Sequence, residues 1–391
     1  MAYFSNSNIH RLALHNTAGT LAFAMSTAFS APFFLRAGFT PAQIFLSFAA
    51  ILALRFAMRP IVLYAAPAFG LRRTFIFGAL INALSYPALG FVDGVGIGFL
   101  AFIVLTSLGQ VLYYTCYHVF FTAFSDDGRC GVQVGAFQMF GTLATIAGPA
   151  AGGLLLALRG PQLTFAVAFF IALAGILPLL RIAEPPLARK PPPRAYAAAR
   201  TGVKLFFADG WIQMSLTTAW SMVLFEALHD RYDFFGGTLS MAALAGAVGG
   251  VWLGRHIDRG HARVAVWINA AILLVVVVAR VATAGNAAAA VAVAVGTTAI
   301  GAMYYTSWLT AAYNEAKRAP CTFRFQFAAE GGWDTGGVAA ALIAAALCGL
   351  GLPVDAAILL ALPMVFAQAL VLERAYARQD RSVSTLQARA V

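Results

Sequence analysis

An aromatic run occurs twice in this chain at an offset of 191 residues: Tyr113-Tyr114-Thr115-Cys116-Tyr117 returns as Tyr304-Tyr305-Thr306-Ser307-Trp308. The same shift carries Arg72 onto Arg263, Cys130 onto Cys321 and Gly141 onto Gly332. A constant offset close to half of 391 residues marks a duplicated unit rather than chance similarity between aromatic stretches. Any fold for this chain must therefore accommodate two homologous halves.

Composition decides the solvent. Hydrophobic residues make up 61% and charged residues 10% of the chain, and the mean hydropathy is +0.80. A soluble globule typically carries about 25% charged residues, so a bilayer must be part of this protein's surroundings. For a membrane chain built of repeats, the expectation is a transporter with its site between the halves. Four cysteines, Cys116, Cys130, Cys321 and Cys348, fall in or beside apolar runs without metal-ligand spacing and read as buried thiols.

Crossing a bilayer of roughly 30 Å takes about 20 apolar residues. Twelve such runs are expected, at 11–35, 41–68, 72–92, 97–124, 131–157, 162–182, 205–228, 236–254, 263–283, 287–313, 321–348 and 354–375. They group into an N-terminal six-helix bundle (1–182), a linker (183–204), a C-terminal six-helix bundle (205–376) and a polar tail (377–391) expected to be disordered. Thr40-Pro41-Ala42-Gln43 predicts a sharp helix start, with a capping threonine, a proline at the first helical position and a reciprocating glutamine. The first run is too long, and too polar along its length, for a cleaved signal.

Arginine and lysine set the expected orientation. With both termini in the cytosol of a cell (inner) membrane, Arg11, Arg72, Arg73, Arg129, Arg255, Arg259, Arg263, Lys317, Arg318 and the C-terminal arginines fall inside. The linker, with Pro185-Pro186 and Pro191-Pro192-Pro193 among Arg189, Lys190, Arg194 and Arg200, reads as a stiff basic connector on the same side. Only Arg36, Arg159, Arg231 and Arg280 are left for the outside. This asymmetry accounts for the net charge of +11 with no nucleic-acid partner.

Three stretches resemble the major facilitator superfamily. Gly254-Arg255-His256-Ile257-Asp258-Arg259-Gly260-His261-Ala262-Arg263 is similar to the family's cytosolic loop motif, built on Gly254, Asp258, Arg259 and Arg263. Its first-half counterpart, Leu63 to Arg72, keeps Gly70 and Arg72, with Arg73 following, but has Pro67 in place of the acid. Gly148-Pro149-Ala150-Ala151-Gly152-Gly153, preceded by Gly141, resembles the fifth-helix motif associated with antiporters. Independently of the family, Gly148, Gly152 and Gly153 permit close approach of a second backbone, and Pro149 bends the helix.

Charges inside the apolar runs are few. An Arg or Asp at a helix centre costs about 2.5 to 3.5 kcal/mol on insertion scales, so such groups face protein or water. Arg55 and Arg59 share a face of the second run at i, i+4, and Glu330 and Asp334 share a face of the eleventh. Counted from their linker-side ends, both pairs lie about 15 and 21 Å deep. The resemblance implies that these two helices touch, which would make one four-residue ionic cluster with a gating or proton-coupling role. His118 and His15 read as packing or interfacial groups, and Asp209 as a helix-start residue.

The resemblance further implies that helices one, four, seven and ten line a central cavity. Its candidate substrate-binding residues are then Gln110, Tyr113, Tyr114, Tyr117, Gln213, Trp220, Tyr304, Tyr305 and Trp308, with no cavity arginine or lysine. Tyr113 and Tyr304 are expected to face that cavity equivalently from the two halves. Aromatic and hydroxyl walls suit a small neutral or amphiphilic solute held by stacking and a few hydrogen bonds. No phosphate loop, nucleophile motif or zinc spacing occurs, so no cofactor, metal or enzymatic step is expected. The expected activity is secondary active transport by a monomer using alternating access, as proton-coupled export or alternatively uptake. A non-transporting membrane sensor is the reading from another class.

Overall fold

The protein is seen in a computed structural model that describes residues 7–125, 130–187, 190, 192–257 and 262–390. Among these the chain is helical and no strand occurs. Its α-helices are α1 (Ser7–Met25), α2 (Ser30–Arg36), α3 (Pro41–Met58), α4 (Pro60–Phe69), α5 (Leu71–Leu89), α6 (Ile97–Phe124), α7 (Cys130–Arg159), α8 (Pro161–Gly175), α9 (Arg200–Ile212), α10 (Ala219–Ala227), α11 (Tyr232–Ile257), α12 (Ala262–Ala282), α13 (Ala287–Arg318), α14 (Thr322–Gly349) and α15 (Ala361–Ala390). Eight helical stretches among the described residues are long and apolar enough to cross a membrane.

Local chemistry explains where the helices start and break. Thr40 accepts from Gln43 N at 3.3 Å while its own N–H donates to Gln43 Oε1 at 2.8 Å, a capping box with Pro41 in the first turn. Several expected continuous spans are interrupted. The first is split by a 3-10 turn at Thr27–Phe29, the second at Arg59–Pro60, where proline removes a helical N–H, and the seventh by a π-helical turn at Gln213–Thr218. The tail departs from expectation too: α15 continues to Ala390, through a segment containing good helix formers such as Ala, Leu, Gln and Arg.

The duplication is visible in the helices themselves. Adding 191 to α5, α6 and α7 gives 262–280, 288–315 and 321–350, against observed α12, α13 and α14 at 262–282, 287–318 and 322–349. The halves meet where α7 packs on α11 and where α3 and α6 pack on α14.

The linker begins as part of the first half. Arg11 Nη1 donates to the Arg181 carbonyl at 2.6 Å, and Ala183 N to Asn8 Oδ1 at 3.1 Å. Glu184 lies at the N-terminus of α5, where its carboxylate accepts from Arg72 N at 3.2 Å and offsets the positive helix end. Gly70 has φ +90° and faces this carboxylate, so a side chain there would meet both backbone strain and Glu184 Oε1. The linker thus brings an anion to the loop in which Pro67 stands where the second half has Asp258. At its other end, the Tyr196 hydroxyl accepts from Arg324 Nη1 of α14 at 3.2 Å.

Candidate substrate cavity and charge cluster

The four intramembrane charges converge. Arg55 of α3 donates through Nε to Asp334, through Nη2 to Glu330 Oε2 at 3.2 Å and through Nη1 to Gln110 Oε1 at 3.0 Å. Its guanidinium also lies 4.8 Å from the Trp333 ring centroid. Arg59 bonds Asp334 through Nη2, approaches Glu330 only to 4.0 Å, and leaves Nε and Nη1 without partners. All four side chains are buried, Asp334 completely. Two cations and two anions cancel, which is the condition for keeping such charges out of water.

His118 of α6 joins the cluster. Its Nε2 lies 3.0 Å from Glu330 Oε1 and its Nδ1 2.7 Å from the hydroxyl of Tyr313. A neutral ring satisfies both by donating from Nε2 and accepting at Nδ1. Read from sequence as a packing group, His118 instead ties α6 of the first half to α14 and α13 of the second.

Beside the cluster lies a cavity of about 660 Å³, within the range of small-molecule sites. Gln110, Tyr114, Tyr117, Gln213, Trp220, Tyr305 and Trp308 line it, as do Arg55 and Glu330. Contacts between the halves flank it at both ends. On the linker side, Lys317 Nζ donates to the Ser125 carbonyl at 2.7 Å and Gln326 Nε2 to Thr122 Oγ1 at 3.2 Å. On the far side, Phe29 packs on Phe235 at 5.5 Å and Arg36 lies over Tyr232 at 5.3 Å.

Tyr113 and Tyr304 are not among the cavity-lining residues. Each hydroxyl turns to a polar group on the first helix of its own half, Tyr113 to His15 Nε2 at 3.0 Å and Tyr304 to Asp209 Oδ1 at 3.4 Å, and Tyr304 also bonds Gln368 of α15. A phenol buried in protein must find a partner, and these partners draw the two hydroxyls out of the cavity lining. His15 is accordingly buried, its Nδ1 2.8 Å from the Gly175 carbonyl, rather than interfacial. Asp209 is no helix-start residue, because α9 begins at Arg200; it lines the cavity and accepts from Trp333 Nε1 at 3.0 Å.

The expectation of a cavity without arginine is overturned by Arg55 and Arg280. Arg280, assigned from sequence to an outer loop, lies inside α12, and its position within the ninth apolar run was the signal that could have found it.

The fifth-helix glycines divide between two neighbours. A methyl group on Gly148 would stand 2.6 Å from Ala24 Cβ and one on Gly152 2.7 Å from Met25 Cα, both on or at the end of α1, whereas one on Gly153 would strike the Tyr232 carbonyl of α11. The Pro149 carbonyl similarly abuts Gly236. Of the loop motif, Gly254 lies in α11 and Arg263 Nη2 bonds Glu373 Oε1 at 2.8 Å. Asp258 and Arg259 lie outside the described residues.

Comparisons with known proteins agree with this architecture. Among curated proteins no match was found. Among solved structures, the crystal structure of the nucleoside transporter NupG, in a mutant form, is similar with a TM-score of 0.64 at 12% identity. That similarity covers 94% of this chain and 99% of that one. The family model described as Major Facilitator Superfamily matches residues 13–323. With its apolar helices and a family match over more than half its length, the chain is a multi-pass membrane protein and belongs to the major facilitator superfamily of membrane transporters.

Proposed function

We propose that this protein is a secondary active transporter that moves a small amphiphilic, aromatic-bearing solute by alternating access, coupled to protons and working as an exporter. In this reading twelve crossings form two six-helix bundles, 1–182 and 205–376, acting as a monomer with both termini and the linker in the cytosol of the cell (inner) membrane. The observation that carries the reading is a cavity walled by Tyr114, Tyr117, Tyr305 and Trp308 directly beside a buried ionic cluster that bridges the halves.

Separation of α3 from α14 takes Arg55 and Arg59 away from Glu330 and Asp334. A carboxylate left without its cation in a low-dielectric cavity is neutralised by a proton, which links proton binding to the movement of the halves. Asp334, the more buried acid, is the proton carrier, and His118 holds Glu330. Uptake of a neutral solute such as a nucleoside is the second reading, favoured by the Gln110 and Gln213 amides beside stacking rings.

Counterflow in proteoliposomes with and without a pH gradient tests the proposal. Wild type should exchange solute and respond to the gradient; Asp334→Asn should retain exchange and lose the response. No exchange of any solute by wild type would remove the transport reading, and an unaltered gradient response in Asp334→Asn would remove the coupling role.

A further inference from the structure

Arg280 is the feature of the cavity that the ionic cluster and the aromatic walls leave unexplained. It lies two residues from the end of α12, on the far side of the cavity from the linker. An arginine near a helix end usually snorkels, extending its charged head towards the interface. Here the guanidinium folds inward instead, 5.0 Å from the Trp220 ring centroid and among the residues that line the cavity.

Its polar contacts are few. Nη1 donates to the Leu216 carbonyl at 3.3 Å, inside the π-helical turn at Gln213–Thr218, where backbone acceptors are displaced from ordinary α-helical pairing. Nε is buried without a partner. Among the described residues Arg280 makes no ion pair, whereas Arg55 and Arg59 both do. The acids that line the cavity are already engaged: Glu330 by Arg55 and His118, and Asp209 by Trp333 and Tyr304. A half-buried guanidinium beside a cavity inside a membrane-spanning helix, with no anion of its own, is an incomplete arrangement, since charges withdrawn from water are normally paired.

We infer that the solute itself completes it: the cargo is an organic anion, with a carboxylate or similarly compact acidic group received by Arg280 and an apolar or aromatic body lying against Trp220 and Tyr305. This rests on the transporter reading above and narrows it from amphiphilic solutes in general to amphiphilic acids. Arginine's planar fork suits a carboxylate, which can take two parallel N–H bonds from it; Nη1 spends one N–H on Leu216, and Nη2 makes no hydrogen bond to the described residues, so the terminal nitrogens have donors to offer. The adjacent Trp220 ring holds the guanidinium plane in place from one side.

The test uses a panel of aryl and alkyl carboxylates, each paired with its uncharged primary amide, and a set of neutral solutes that includes nucleosides. Binding is read by thermal shift of the purified full-length protein and transport by counterflow, for wild type, Arg280→Lys and Arg280→Gln. Carboxylates should stabilise wild type more than their amides. Arg280→Gln should weaken carboxylate binding roughly tenfold or more, the size of a charge-assisted contact, and weaken amide binding far less. Arg280→Lys should recover part of the loss.

The inference is overturned if amides bind as well as acids, if no acid in the panel binds, or if Arg280→Gln weakens both members of each pair equally. That last pattern is the signature of a packing role. Counterflow of neutral solutes without any response to acids would remove the anion while leaving the transporter reading intact; loss of counterflow for every solute in wild type would remove both.

Discussion

Arg55 and Arg59 stand one helical turn apart, yet they carry unequal shares of the cluster. Every guanidinium nitrogen of Arg55 is bonded, to Asp334, Glu330 and Gln110, whereas Arg59 reaches Asp334 through one nitrogen and leaves two unpaired. Removing Arg55 takes a bond from each of two carboxylates and from Gln110, leaving Asp334 to Arg59 and Glu330 to His118; removing Arg59 takes a bond from Asp334 alone. Arg55→Gln should therefore destabilise the folded protein by about 3 to 5 kcal/mol, the usual loss on breaking a buried pair, and Arg59→Gln by about 1 to 3 kcal/mol. Thermal unfolding in detergent checks the order, and a larger loss for Arg59→Gln would contradict it. These four residues were legible in the sequence because a charge within an apolar run is conspicuous and i, i+4 spacing fixes its helix face. Tyr113 and Tyr304 were less so, since whether a ring faces a cavity or a neighbour depends on which groups stand behind it. Asp209 was misread through a helix boundary displaced by five residues, which moved a mid-helix carboxylate to a helix end.

α7 illustrates how one helix serves two interfaces. Gly148 and Gly152 seat it on α1 within the first half, while Pro149 and Gly153 meet α11 of the second. A bulky side chain at the first pair disturbs the fold of one half; at the second it separates the halves on the far side while leaving each half intact. Gly152→Leu should lower the yield of folded protein, as overpacking costs about 1 to 3 kcal/mol or more. Gly153→Leu should fold and show longer spin-label distances between the far-side ends of α2 and α11. Unchanged distances in Gly153→Leu would show that this contact does not control separation. The motif announced close packing from its small residues alone, but not which glycine met which helix, because that requires the rotation of α7 about its axis. The π-helical turn at Gln213–Thr218 was likewise hidden: a shift from i, i+4 to i, i+5 pairing leaves no mark in hydrophobic periodicity.

At the scale of the whole molecule the duplication was the most legible property, since a shift of 191 residues superposes α5, α6 and α7 on α12, α13 and α14 to within about three residues at each end. The ligation of the linker was not legible, because Glu184 is 112 residues from Arg72 and belongs to no periodic pattern. Its position bears on biosynthesis. Chains emerge N-terminal end first and their domains mature in that order, so the first half must wait for residue 184 before the start of α5 acquires its carboxylate. The functional border of that half therefore lies beyond Ile182. If the protein is made as two co-expressed fragments, a cut after Leu187 should restore membrane-inserted, transport-competent protein, and a cut after Ile182 should restore markedly less. Equal recovery from both would show that the carboxylate can arrive late, delivered by the second fragment.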